Sequence, residues 1–253
     1  MRLDSATFLL QWSAGGLLFL WVTSRRREVG IGYGWLLRSI YVVLAFGAVV
    51  VFVAQGVDGT GRAVAMLGAF ACACAALAAL VASIRHRRVD TFDPRWDLVA
   101  PPIGLIGLLG AASFAGGNDA LAAARLVIGA AFLGCISDAM LLGHWYLVQP
   151  GLPRDAVQEL VLWNAWLWPL EVGVLLVPTG MVSVLTGTID DGYNGILGWV
   201  WIACAVSTIT LVAVTTLALR ERYYSAVMSA TGLLYLAILT AFGTDLVARA
   251  TLS

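Results

Sequence analysis

The chain contains no lysine: all 15 of its basic residues are arginine, set against 15 acidic residues. An arginine-only complement reads as high-GC coding, and it excludes chemistry that needs a lysine amine, such as a retinal or pyridoxal Schiff base. Histidine is nearly absent too, with His86 and His144 the only two. His86 lies in the basic loop RHRRVD, a solvated stretch facing lipid headgroups. A haem held by two histidines within the chain therefore has no second ligand. Met140, four residues from His144, would fall on the same side of the ring. A one-ligand haem, or one shared with another subunit, stays open.

Charge of either sign is scarce, at 12% of residues where a soluble domain carries about a quarter. Formal net charge is zero, which gives no footing for nucleic acid. The four cysteines, Cys72, Cys74, Cys135 and Cys204, all sit in apolar runs and read as small hydrophobes. Cys72 and Cys74, two apart on a helix, point about 200° apart and cannot chelate one metal. There is no HExxH, no GxSxG elbow, no Walker loop and no paired aspartate-rich motif. These absences argue against dedicated enzyme chemistry and point to no catalytic or metal site.

What the chain does have is oil: 60% hydrophobic residues and a mean hydropathy of +0.89. Apolar runs of about 20 residues recur, each long enough to cross a hydrocarbon core of roughly 30 Å as a helix. Inside lipid the backbone must satisfy itself, so helices or a closed barrel are the choices. Barrel strands would alternate, and these runs do not. The expectation is an all-α polytopic bundle forming one transmembrane domain over 1–253. Spans fall near 6–24, 33–54, 63–84, 98–116, 121–148, 157–180, 195–219 and 223–247. The fourth contains Pro101 and Pro102, and the sixth runs past Pro178.

Arginine placement orients this bundle. With the N-terminus outside, Arg25, Arg26, Arg27, Arg85, Arg87, Arg88, Arg95, Arg154, Arg220 and Arg222 share one side, leaving Arg2, Arg62 and Arg249 on the other. The richer side is cytoplasmic by the positive-inside rule, so both termini are expected outside. The first run carries its positive charges after the apolar stretch, unlike a cleaved signal. The setting is the inner membrane of a high-GC bacterium. The third span, nearly all small residues, is expected to be enclosed by other helices, and Ser225, Ala226, Ser229 and Ala230 offer small-xxx-small packing in the last.

Few ionisable groups fall within spans: Arg38, Arg125, Asp138, His144 and Glu171, with Asn164 as an uncharged companion. A carboxylate at the bilayer centre costs about 2.5–3.5 kcal/mol on insertion scales, so such groups mark sites. At 1.5 Å of rise per residue, Glu171 lies near the midplane. Asp138 is then about 6 Å, Asn164 and Arg38 about 9 Å, and His144 about 15 Å toward the cytoplasm. Spans five and six are joined by the short PGLPRDA turn and should be antiparallel neighbours. Asn164 and Glu171 share a face, whereas Asp138 and His144 point about 120° apart. Arg125 is read as snorkelling at the outer end of span five. Asp190 and Asp191 are read as an exposed turn with too few ligands for calcium.

Two functions fit these residues. In the first, the protein is a proton-linked transporter of a small solute or ion: Asp138 and Glu171 titrate, Asn164 relays, His144 gates protons and Arg38 is the counter-charge. In the second, it is a membrane subunit of a redox complex, with His144, Trp145 and Tyr146 lining a quinone or cofactor pocket. Expected partners are the lipid bilayer and either further copies or other membrane subunits.

Overall fold

A computed structural model describes residues 4–86, 92–176 and 180–252. Among the described residues the secondary structure is entirely helical. In chain order it comprises α1 (Ser5–Ser24), α2 (Ile31–Gln55), α3 (Thr60–Arg85), a 3-10 turn (Pro94–Leu98), α4 (Ala100–Ala112), α5 (Asp119–Trp145), α6 (Asp155–Leu176), α7 (Met181–Leu185), α8 (Ile196–Ala218) and α9 (Tyr224–Thr251). Seven of these helices, all but α4 and α7, are long and apolar enough to cross a membrane. The chain has the make-up of a helical membrane bundle.

Local chemistry sets the ends. Asp4 caps α1 by accepting from the Thr7 N–H at 3.2 Å, and Asn118 caps α5 by accepting from Leu121 at 3.1 Å. The fourth span is shorter than its sequence suggests. α4 has 13 residues, about 20 Å of helix, which falls short of a hydrocarbon core. Pro94 opens the turn before it, while Pro101 and Pro102 occupy the first turn of α4, where a missing N–H costs least. α4 then packs antiparallel on α3. A Cβ on Gly68 would stand 2.5 Å from the Gly107 Cα, and Ser113 at the far end of α4 lies against Gly61 at the start of α3.

The sixth span ends as α6 at Leu176; its expected continuation through Pro178 falls outside the described residues. α3 is not enclosed: its small residues serve the contacts with α2 and α4, while Leu67 and Phe70 stay exposed. Of the small residues expected to pack in α9, Ala230 is buried and Ala226 half-buried, whereas Ser225 and Ser229 are exposed. α9 meets α5 where Gly143 faces Thr231, and α8 where Gly243 faces Cys204.

α5 is the axis of the bundle. α2 meets it through Tyr41 and Asp138, α6 through Leu160 and Cys135, and α9 through Thr231 and Gly143. α1 runs parallel to α5 in backbone contact, Gly15 lying on Ala130 and Gly134 on Gly15 and Gly16. Small residues that let backbones touch are the packing device of membrane helices, where the lipid is as apolar as leucine. Gly134→Val should therefore force the two helices apart and cost at least about 1–3 kcal/mol, the usual penalty for overpacking. Thermal unfolding in detergent checks this; an unchanged midpoint would remove the contact from the list of stabilising features.

Candidate functional site

Polar groups enter this bundle at three levels. At the end where α2 begins, Arg38 forms a bidentate pair with Asp97 from the 3-10 turn, Nε to Oδ1 and Nη2 to Oδ2, both at 2.7 Å. Both side chains are buried, and the Ser24 hydroxyl adds a bond to Asp97 at 3.3 Å. The guanidinium also stacks over Phe92, 4.7 Å from the ring centroid. A planar fork matched to a carboxylate is the geometry in which a buried pair best offsets its desolvation.

One level further in stands Asp138, wholly buried. Its Oδ1 accepts the Tyr41 hydroxyl, its backbone carbonyl accepts Tyr33 at 3.3 Å, and its Oδ2 has no partner. Neighbouring side chains hold this arrangement from α1. Trp12 Nε1 donates to Ser137 Oγ at 2.8 Å, and Ser13 donates to the Tyr41 carbonyl at 2.8 Å. Gly16 leaves the room that the Tyr41 ring fills.

The third level is the richest in charge. Glu171 of α6 is 1% exposed, and neither of its carboxyl oxygens has a hydrogen-bond partner. Within electrostatic reach are Asp245 and Arg249 of α9 and Arg125 of α5. Arg249 Nε donates to Asp245 Oδ2 at 2.6 Å, and its Nη2 donates to Gln11 of α1. Arg125 Nε donates to the Val174 carbonyl at 2.8 Å while its Nη2 is unpartnered. Pro169, inside α6 just before Glu171, deprives that helix of one N–H donor. With both acids charged, two arginines and two carboxylates balance.

Some expected neighbours are separated. Leu160 on α6 lies level with Cys135 on α5, and Val174 level with Arg125. Glu171 is therefore roughly 15–21 Å in helical rise from Asp138, and the two belong to different clusters. Arg38 answers Asp97 instead of Asp138, because the 3-10 turn carries an acid into the bundle between α1 and α2. Asn164 is buried; its Nδ2 donates to the Leu160 carbonyl at 2.9 Å and its Oδ1 is unpartnered. It shares a helix face with Glu171 but no bond.

At the interfacial end, His144 stands exposed, its Nδ1 3.4 Å from the Tyr235 hydroxyl. Trp145 donates to Gln149 at 3.1 Å, and Tyr146 turns inward to the Pro153 carbonyl at 2.5 Å. The three residues engage three different partners. His86 ends α3, exposed as expected.

Sequence alone does not point to Gln11, Asp97, Asp245 and Arg249 as charged or amide participants, nor to Tyr33 and Tyr41 beside Asp138. Arg249 was assigned to the outer loops and Arg125 to snorkelling. In the structure Arg249 is 1% exposed, because α9 runs to Thr251, and Arg125 is 8% exposed, turned inward to α6. The spacing of Asp245 and Arg249, i to i+4, was the available signal.

In the turn between α7 and α8, Asp190 and Asp191 are engaged by backbone. Asp190 accepts from Gly192 at 2.9 Å, while Asp191 accepts from Tyr193, Gly195 and Leu197 at 2.8–2.9 Å. Burial works against the Asp191 charge, but the N–H groups of Gly195, Tyr193, Leu197 and Gly198 outweigh it and hold its carboxylate below the usual range. Compared with protein families, characterised proteins and solved structures, the chain matches none.

Two outcomes test this geometry. Asp97→Asn strands a buried guanidinium and should cost about 3–5 kcal/mol, whereas Arg38→Met combined with Asp97→Leu should recover most of it. Chemical unfolding in detergent reads both, and equal losses in single and double variants would contradict the pairing. For Asp191 the native carboxyl is the more acidic one. Its stabilisation is present above the unfolded value near pH 3.9 and lost as pH falls through the folded value. Asp191→Asn should lower the melting temperature at pH 7, and the difference from wild type should close in strong acid.

Proposed function

We propose that the protein is a proton-linked membrane transporter of a small solute or ion, with Glu171 and Asp138 as the groups that take up and release protons. The observation that carries this reading is Glu171, a buried acid with two unpartnered oxygens among Arg125, Asp245 and Arg249. An ionisable group of this kind has no packing role that an apolar residue would not fill better, and in membrane proteins such groups mark proton and ion routes.

The two carboxyls act as separate stations. α1 touches both regions: Gln11 reaches the Glu171 cluster through Arg249, and Trp12 reaches Ser137, the residue before Asp138. In this reading the chain crosses the inner membrane eight times. The 3-10 turn and α4 together make the fourth crossing, and both termini lie outside. Consistent with that, Gln11 near the N-terminus bonds Arg249 near the C-terminus. The redox-subunit alternative draws no support from the placement of His144, Trp145 and Tyr146.

The test uses purified protein in liposomes with an internal pH-sensitive dye. Under an imposed proton gradient, Glu171→Gln should reduce flux at least tenfold, and Asp138→Asn should do likewise, with folding verified by circular dichroism. Full flux through both folded variants would end the proposal.

A further inference from the structure

At the arginine-rich end of the bundle a cavity of about 30 Å³ opens between α1, α2 and the segment carrying Phe92, with Ser24, Arg27, Gly30, Tyr33, Gly34 and Arg38 among its walls. At one probe sphere of roughly 10–15 Å³ per water, that volume suits two or three waters or a single oxyanion head. Its polar lining consists chiefly of donors. Arg38 is 2% exposed and has committed Nε and Nη2 to Asp97, but its Nη1 has no partner. That nitrogen is aimed at Gly34, where an added Cβ would stand 2.6 Å from it. Arg27 makes no ion pair among the described residues, whereas its neighbours Arg25 and Arg26 are both taken by Glu159.

The backbone contributes as well. α2, 25 residues long, starts here behind Gly30, whose own N–H donates to Gln149 Oε1 at 2.9 Å, and Gly30 and Ile31 at that start line the cavity, which places the positive end of the helix dipole beside it. The nearest buried acid, Asp97, has both oxygens occupied by Arg38. Glu28 is exposed, and its carbonyl is held by Gln149 at 3.2 Å.

We propose that this inner mouth is a binding site for a phosphate-type oxyanion, held by the free Nη1 of Arg38, the guanidinium of Arg27 and the first turn of α2. Two guanidinium groups and a helix N-terminus converging on one small cavity match a tetrahedral anion, and offer little to a cation. The anion is either free phosphate from the aqueous phase or the phosphate of an anionic lipid headgroup, because the mouth lies where membrane and water meet. This site stands apart from the proton-linked reading and does not depend on it.

The experiment measures the melting temperature of the full chain in a zwitterionic detergent, by tryptophan fluorescence. It is titrated with inorganic phosphate in one series and with micelles doped with phosphatidic acid in another. Arg27→Gln, an exposed change that leaves the Arg38–Asp97 pair intact, and Gly34→Ala, which crowds Nη1, are run beside wild type. A saturable stabilisation by phosphate that weakens ten- to hundredfold in Arg27→Gln supports a free-anion site, since a hydrogen bond to a charged group contributes about 1.5–3 kcal/mol. The same pattern with phosphatidic acid alone supports a lipid site. Stabilisation by neither probe, or stabilisation equal in wild type and both variants, overturns the proposal.

Discussion

The approach of two backbones, α1 on α5, is the contact on which the two deeper polar levels of the bundle depend. Gly15 and Gly134 let the helices touch, and neighbouring glycines make room for side chains: Gly16 for the ring of Tyr41 from α2, Gly129 on α5 for the amide of Gln11 from α1. Tyr41 then reaches Asp138, and Gln11 reaches Arg249. Residues with no side chain thus decide where the charged ones stand. In lipid, where apolar burial gives helices little reason to associate, such close contact is also a main source of cohesion.

The three polar levels solve the problem of buried charge differently. Arg38 and Asp97 form a bidentate pair from distant parts of the chain, and Arg249 and Asp245 pair through one carboxylate oxygen within a single helical turn. Glu171 and Asp138 are left incompletely satisfied, each with at least one bare oxygen. Carboxylates locked to a guanidinium tie elements together, whereas Glu171 takes no hydrogen bond and sits among its charged neighbours by proximity alone.

Much of the fold was legible because lipid imposes one rule on all segments: a long apolar run must be a helix. The long helices lie within a few residues of the spans read from hydropathy. The site was less legible, for a reason specific to position. Asp97, Asp245 and Arg249 sit near the ends of apolar runs, where a charge reads as the start of a loop, and only tertiary packing draws them under cover. α9 extends past the predicted end at residue 247 to Thr251 and carries Arg249 inside. Asp97 enters on a 3-10 turn that no periodicity announces. Asp138, Glu171 and Asn164, deep within their runs, were found directly, but their partners on other helices were not.

The two pairs place opposite demands on biosynthesis. Asp245 and Arg249 are born one turn apart and can enter the bilayer already neutralised. Asp97 emerges 59 residues after Arg38, so each must wait for the other. Until the fourth segment arrives, the second helix carries an uncompensated guanidinium, and it must remain at the interface or be sheltered by the insertion machinery. The pair thus ties the second helix to the turn at Pro94, the two being completed together.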